Sequence, residues 1–292
     1  MSVTEAAALE LAPEGRRRGE TLVRLLRRPS GALAALVVVL IVVGALAAPV
    51  LAPHSPTEFD YEHLFAAPSW SHPFGTDELG RDLLSRVLYG ARTSLWVAAL
   101  ATVIAMVSGT ILGFVAAFRG GWVGEVLMRS VDVTLGMPVI LIGLVLVAAF
   151  GSSILSLVLI LGFLFAPATA RLARSAILAE LESDYYLAAT SVGAPPRRII
   201  FGELLPNTVP VLLARAAIVA AAAIFVEASL SFLGLGVQPP AASWGTLLQT
   251  GYASLYSSYW YAVFPGIVIV VTVLALNALG NSFQHALDPS RR

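Results

Sequence analysis

Few residues in this chain could do chemistry of their own. His54, His63 and His72 share one polar stretch, and three imidazoles are enough to hold a metal ion. No helical spacing unites them and nothing in the pattern fixes their geometry, so loop histidines and no metal are expected. Glu227 lies in the apolar run IFVEASLSFLG, with Ser231 one turn further on. An ionisable group inside a membrane span is costly and points to function by default. Two roles stand open for it: lining a translocation path with Ser231, or structural pairing near the outer interface. Arg215, at the other end of the same run, can snorkel to the membrane surface. Glu180, Glu182 and Asp184 crowd together without a nucleophile, base or metal cluster beside them, so no catalytic residue is expected. No serine-centred elbow, HExxH or glycine-rich phosphate loop occurs. The chain also lacks cysteine, which removes disulfides and thiolate chemistry. All 18 basic residues are arginine. A Walker-type nucleotide site needs a lysine on the phosphates, so this chain holds no such ATP-hydrolysing domain.

The element that must position the acidic cluster runs from Ala176 to Pro206, AILAELESDYYLAATSVGAPPRRIIFGELLP. Ile177, Leu178, Leu181, Tyr185, Ala188 and Val192 recur at helical spacing. Gly193 can take the left-handed conformation that closes a helix, and Pro195 and Pro196 cannot continue one. A second helix starts there and runs through Ile199, Ile200 and Leu204. Two short helices hinged at a glycine, with an oily stripe at a membrane surface, need a partner to cover them.

The rest of the chain is membrane. Of 292 residues 58% are hydrophobic and 12% charged, with a mean hydropathy of +0.83, which defines a polytopic membrane protein. Formal net charge is zero, so no nucleic-acid partner is expected. Residues 1–30 form an arginine-rich tail. The uncharged run Gly31 to Leu51 is long enough to cross a hydrocarbon core of roughly 30 Å. It exceeds a signal-peptide core, so a retained first span is expected. Five further runs lie near Ser94–Phe118, Val133–Phe150, Ile154–Ala170, Val209–Phe232 and Trp260–Leu279, with Gly151-Ser152-Ser153 the only break between the third and fourth spans. Arginines concentrate in the N-terminal tail, at Arg119 and Arg129, at Arg171, Arg174, Arg197 and Arg198, and at Arg291 and Arg292. The opposite face has only Arg81, Arg86 and Arg92. The positive-inside rule then places both termini and the hinged element in the cytoplasm.

The expected organisation is a tail at 1–30, a first span with an external loop and amphipathic helix at 31–93, a five-helix core at 94–285 with its cytoplasmic loop at about 171–208, and a cytoplasmic C-terminal tail at 286–292. In the external loop, HPFGTDELGRD leads into LLSRVLYGAR, where Leu83, Leu84, Val87 and Leu88 share a face. Asp82 and Arg86 are four apart and are expected to pair. The pattern predicts an interfacial helix feeding the second span.

Three segments together resemble one family. DYYLAATSVGAPPRRIIFGELLPN resembles the cytoplasmic EAA loop of binding-protein-dependent ABC importer permeases, matching at Ala188, Ala189, Gly193, Leu205 and Pro206 and departing at Leu187, where the family's usual glutamate is missing. HPFGTDELGRDLLSRVLYGARTSL is similar to the GTDxxGRDxxSRxxxGAR stretch of the oligopeptide, dipeptide and nickel importers, through Gly75, Thr76, Asp77, Gly80, Arg81, Asp82, Ser85 and Arg86. SLSFLGLGVQPPAASWGTLL, with a later PG and a terminal ALDP, resembles the C-type permease of that group.

The resemblance implies an all-α membrane protein of type I ABC importer permease architecture, with six transmembrane helices, in a bacterial or archaeal inner membrane. It implies coupling helices at Asp184, Tyr185, Tyr186, Ala188, Ala189, Gly193, Ala194, Leu205 and Pro206, seated in a groove of a separate ATPase subunit, one of two in the assembly. Those subunits, alike or different, would hold ATP and Mg, with no cofactor on this chain. It further implies a second homologous permease as heterodimer partner and an external solute-binding protein. The outer motif would be structural or gating. Short peptides are the implied cargo, with nickel complexes or other small solutes behind them. A secondary transporter is the competing class, but ion coupling leaves charges or broken helices at mid-membrane, and these span interiors are almost free of charge.

Overall fold

The computed structural model describes residues 28–238 and 241–287. The tails expected at 1–30 and 286–292, including Arg291 and Arg292, therefore fall almost wholly outside the described residues. Every element among the described residues is helical. In chain order these are α1 (Pro29–Leu46), α2 (Ala48–Leu51), α3 (Leu83–Arg119), α4 (Gly121–Leu135), α5 (Val139–Phe150), α6 (Ile154–Leu181), α7 (Asp184–Ser191), α8 (Pro196–Ile199), a π turn (Ile200–Leu204), α9 (Leu205–Phe232), α10 (Trp244–Ala253) and α11 (Trp260–Leu287).

Five of these are long and apolar enough to cross a membrane, and the bent pair α4–α5 brings the number to six when it counts as one span. The sequence reading takes Val133–Phe150 as a single run. The structure bends it by 93° between Leu135 and Val139. Pro138 cannot donate to a helical ladder and pushes Met137 away from helical angles, so a new helix has to begin after it. The break expected at Gly151-Ser152-Ser153 is present: Ser153 caps α6 by accepting the Ser156 N–H at 3.0 Å.

The amphipathic helix expected before the second span is not a separate element. Its residues form the first turns of α3, continuous with the second span. At 1.5 Å per residue its 37 residues reach about 55 Å, well beyond the hydrocarbon thickness. Leu83, Val87 and Ala91 face inward and join a core with Trp244, Leu247, Tyr261 and Ile224. The amphipathic signal was that of a helix packed on a core, not on lipid. The expected helix through Ala176–Val192 also divides. Ile177 and Leu181 belong to α6, which continues past Ala170 and ends before Ser183. The π turn accommodates Pro206. Proline has no N–H for the Gly202 carbonyl, and the Leu205 N–H instead reaches the Ile200 carbonyl, so the chain enters α9 without stopping. The sequence reading has no counterpart to α10, whose start is marked by a reciprocal cap between Ser243 and Thr246.

The most extensive contact in the protein is α3 against α6. Small residues make it possible. A methyl group added to Gly109 would stand 2.5 Å from the Ala166 carbonyl oxygen, and one on Gly113 2.6 Å from that of Ala170. Backbones this close suit helix pairs in lipid, where packing rather than water exclusion drives association. Gly113→Leu is expected to cost about 1–3 kcal/mol or more through overpacking and to lower the melting temperature of the solubilised protein. Gly202→Ala, where an added methyl meets no atom within 4 Å, is the matched control and should leave it within a degree or two.

Candidate functional site

Three polar arrangements stand out, at the N-terminal end of α3, between α3, α9 and α10, and at the hinge after α6. In the first, Asp77 is fully buried and acts as a hub. Its Oδ1 accepts the backbone N–H groups of Leu79 at 2.8 Å and Arg81 at 3.0 Å. Its Oδ2 accepts Arg81 Nε at 2.7 Å and is bonded by Arg86 Nη1. Arg86 also donates to the Tyr261 hydroxyl at 3.1 Å, tying the loop to α11. Phe74 stacks on Phe264 of the same helix, with centroids 4.0 Å apart. The Asp82–Arg86 pair expected from their spacing is replaced by Asp77–Arg86. Asp82 is instead the N-cap of α3, accepting Ser85 N–H at 2.8 Å and Ser85 Oγ at 2.7 Å. Thr76 accepts the Ala66 N–H at 2.8 Å and donates to the His63 carbonyl. Gly80 has φ +73° and a Cβ there would collide with the Asp60 backbone, so no other residue fits. The motif residues from Gly75 to Arg86 thus converge on one interlocked loop and the first turn of α3.

In the second arrangement Glu227 is fully buried on α9. Its Oε1 accepts Ser231 Oγ at 2.7 Å and its Oε2 accepts Ser94 Oγ from α3 at 3.1 Å. Ser94 Oγ in turn accepts the backbone N–H of Trp244, the first residue of α10, at 3.1 Å. Ser243 Oγ reaches Ser231 Oγ at 3.4 Å, and Trp244 Nε1 donates to the Val87 carbonyl at 3.0 Å. No arginine pairs with Glu227 among the described residues. Three hydroxyls and the N-terminal end of α10 surround the carboxylate, and that end of a helix favours negative charge. Ser94, Ser243, Trp244 and Tyr261 are partners the sequence reading did not single out. The cap signature Ser243-x-x-Thr246 was the one signal that could have found α10.

The third arrangement is the hinge. Helix α7 buries none of its residues. Tyr185 donates to Glu180 Oε2 at 2.6 Å, and burial, then that carboxylate, raise its phenol above the ordinary tyrosine range. Gly193 has φ +72°. The Gly193 N–H reaches the Thr190 carbonyl at 3.0 Å and the Ala194 N–H that of Ala189 at 3.1 Å, closing α7 as its sequence anticipates. Asp184, Ala188 and Gly193 are exposed, while Tyr186, Ala189, Ala194, Leu205 and Pro206 are partly covered. Leu187, Val192 and Phe201 stand out from the surface with 54%, 82% and 68% of their area accessible.

These polar residues secure helix ends, loops or helix-to-helix contacts, and five to six helices long and apolar enough to cross a membrane make a multi-pass membrane protein. Comparison with known proteins narrows that class. The family described as binding-protein-dependent transport system inner membrane component matches residues 109–292, and the N-terminal TM domain of oligopeptide transport permease C matches residues 18–68. A di/tripeptide transport system permease protein, DppC, of Pseudomonas aeruginosa is 39% identical over 89% of this chain and 88% of its own. The dipeptide transport system permease protein DppC of Bacillus subtilis is 38% identical over 92% and 85%. Among solved structures, an inward-facing MetNI methionine ABC transporter chain superposes with a TM-score of 0.58 at 19% identity, covering 70% of this chain and 97% of that one, which shows the fold. The chain belongs to the inner-membrane permeases of binding-protein-dependent transport systems, in the peptide ABC transporter family. It has the type I ABC importer permease fold, and its relatives are transport permeases rather than enzymes.

The hub makes a testable claim. Asp77→Asn leaves the largely buried Arg86, 12% accessible, without its countercharge, and leaves Arg81 with Glu78 alone. The expected loss is about 3 kcal/mol, read as a lower denaturation midpoint of the solubilised protein. Arg171→Ala breaks a pair whose partners are 57% and 51% accessible, and should cost less than about 1 kcal/mol.

Proposed function

We propose that this chain is one of two homologous permease subunits of an ATP-driven importer that carries short peptides inward across the cytoplasmic membrane of a bacterium or archaeon. The observation that carries the reading is the hinge. A capped helix with no buried residue, followed by Val192 and Phe201 standing free, is a surface shaped for another protein. It follows α6 after a two-residue break at Glu182 and Ser183, and the Tyr185 bond to Glu180 ties it back to the helix that packs along α3.

In this reading a groove on one of two ATPase subunits, alike or different, receives α7 and α8, and the second permease engages the other. ATP and Mg are bound there, and this chain carries no cofactor. Where the related loops carry a glutamate, Leu187 is apolar and exposed, so the contact at that point is hydrophobic. Asp184, Tyr185, Tyr186, Ala188, Ala189 and Ala194 form the docking helix and its end, and Leu205 and Pro206 pass the motion into α9. Closure of the ATPases rocks the two permeases between outward-open and inward-open states. An external solute-binding protein delivers the peptide to the face held by the Asp77 hub. Glu227 and Ser231 stand behind the path and keep α10 fixed across α3 and α9. Peptide as cargo rests on the names of the relatives, which are di/tripeptide and dipeptide permeases.

Gly193→Pro and Ala189→Arg test the coupling. Each should leave the permease in the membrane while ATP hydrolysis no longer drives peptide uptake, measured together in proteoliposomes of the whole transporter. Unchanged transport in both variants would remove the docking role. Orientation is tested separately, with an impermeant label on single cysteines introduced into this cysteine-free chain. Thr57→Cys should react from outside and Glu182→Cys only after the membrane is opened, and the reverse pattern would invert the assignment.

A further inference from the structure

His54 and His72 are far apart in sequence, and the fold brings both rings to the carboxylate of Asp82. His72 Nδ1 lies 3.1 Å from Asp82 Oδ1, and His54 Nδ1 lies 3.9 Å from the same oxygen. The ligand atoms of all three residues fall within 4.8 Å of one another. The rings stack with centroids 4.7 Å apart. A tetrahedral zinc site with bonds of about 2.0–2.1 Å sets its ligand atoms roughly 3.3 Å apart, so a small swing of the His54 ring completes the geometry. We infer that His54, His72 and Asp82 form a binding site for a divalent transition-metal ion at the outer end of α3.

Three further observations support the assignment. His54 Nδ1 is buried and has no hydrogen-bond partner among the described residues, although its ring is one of the three converging groups. A buried polar atom without a partner is costly, and a metal bond satisfies it. Asp82 is itself fully buried, and neither nearby arginine reaches it, because Arg81 and Arg86 both bond Asp77. Its Oδ2 is occupied by the Ser85 N–H and hydroxyl, leaving Oδ1 turned toward the imidazoles. The positions of the ligands are fixed from behind. The His54 N–H donates to Ser85 Oγ at 3.2 Å, the His72 N–H donates to Ser69 Oγ at 3.1 Å, and the His72 carbonyl accepts the Gly75 N–H at 2.8 Å. These bonds fix the backbone that carries the two histidines, and the Ser85 bonds to Asp82 Oδ2 are the outer-shell support that orients a ligating carboxylate.

The third histidine is excluded. His63 Nδ1 is held 2.8 Å from Asp60 Oδ2, and its ring centroid is 6.0 Å from that of His72. Two imidazoles with one carboxylate select zinc, copper or nickel over magnesium and calcium, which prefer oxygen. The His54 side chain is 39% accessible, so the ion enters from the outer face beside it. Once bound, the ion joins the end of the first-span connection to the N-cap of α3 and stiffens the loop between His54 and Asp82. It is a resident of the loop, separate from the cargo.

The test titrates the purified complete transporter with Zn2+ against a chromophoric chelator. One ion per permease is expected to resist the competitor. His54→Ala should weaken that binding by at least about tenfold, the lower end of what losing even an outer-shell partner costs a metal site. This variant removes a ring that makes no hydrogen bond, so the Asp82 cap and the fold survive it. His63→Ala should bind zinc as the unaltered protein does. Co2+ should show visible d–d bands in the unaltered protein and in His63→Ala, and lose them in His54→Ala. A protein that retains no zinc, or a His54→Ala variant of unchanged affinity, would show His72 and Asp82 to be a hydrogen-bonded cap only and would overturn the proposal.

Discussion

The seam between α3 and α6 is the contact on which the other arrangements depend. Gly109 and Gly113 let the two backbones meet almost directly, against the carbonyls of Ala166 and Ala170. In lipid there is little hydrophobic gain from joining two apolar helices, so such close packing has to supply the association. Both helices are longer than the membrane requires. The surplus of α3 reaches to the Asp82 cap and the Asp77 hub at its N-terminal end, and the surplus of α6 reaches past Ala170 to the hinge. One tightly packed pair therefore carries the Asp77 loop at one end and leads to the exposed helix α7 at the other.

Charge is handled by the same economy. Each buried carboxylate is surrounded by donors of known position. Asp77 takes two arginines and two backbone N–H groups, Asp82 takes a serine and the first turn of α3, and Glu227 takes hydroxyls at the start of α10. Left unpaired in a low-dielectric interior, any of them would cost several kcal/mol on the order expected for a desolvated ion. Paired in this way they cross-link helices that are distant in sequence. Asp77 through Arg86 reaches Tyr261, and Glu227 through Ser94 reaches Trp244.

The helical class and the membrane runs were legible because a span needs a long uncharged stretch, and hydropathy reads that directly. The hinge was legible for a similar reason, since Gly193 and the prolines act locally. The Asp82–Arg86 pairing failed because helical spacing shows which residues can meet on one helix, whereas Asp77 sits in a loop that folds back over it. The outer helix was misplaced because an amphipathic stripe does not state whether lipid or protein covers it, and here Trp244 and Tyr261 do. The bend before Val139 and the helix α10 were missed where apolar composition masked a turn at Pro138 and a cap at Ser243. His54, His72 and Asp82 could not be joined from spacing at all. Their meeting depends on the path of the whole external loop.

The most direct measurement is recovery of this chain from gently solubilised membranes with every co-purifying chain identified. The account predicts a second permease of the same family together with ATPase chains that contain the Walker lysine this sequence lacks. A chain that purifies alone or only with copies of itself, and that moves solute in vesicles without ATP, would contradict it.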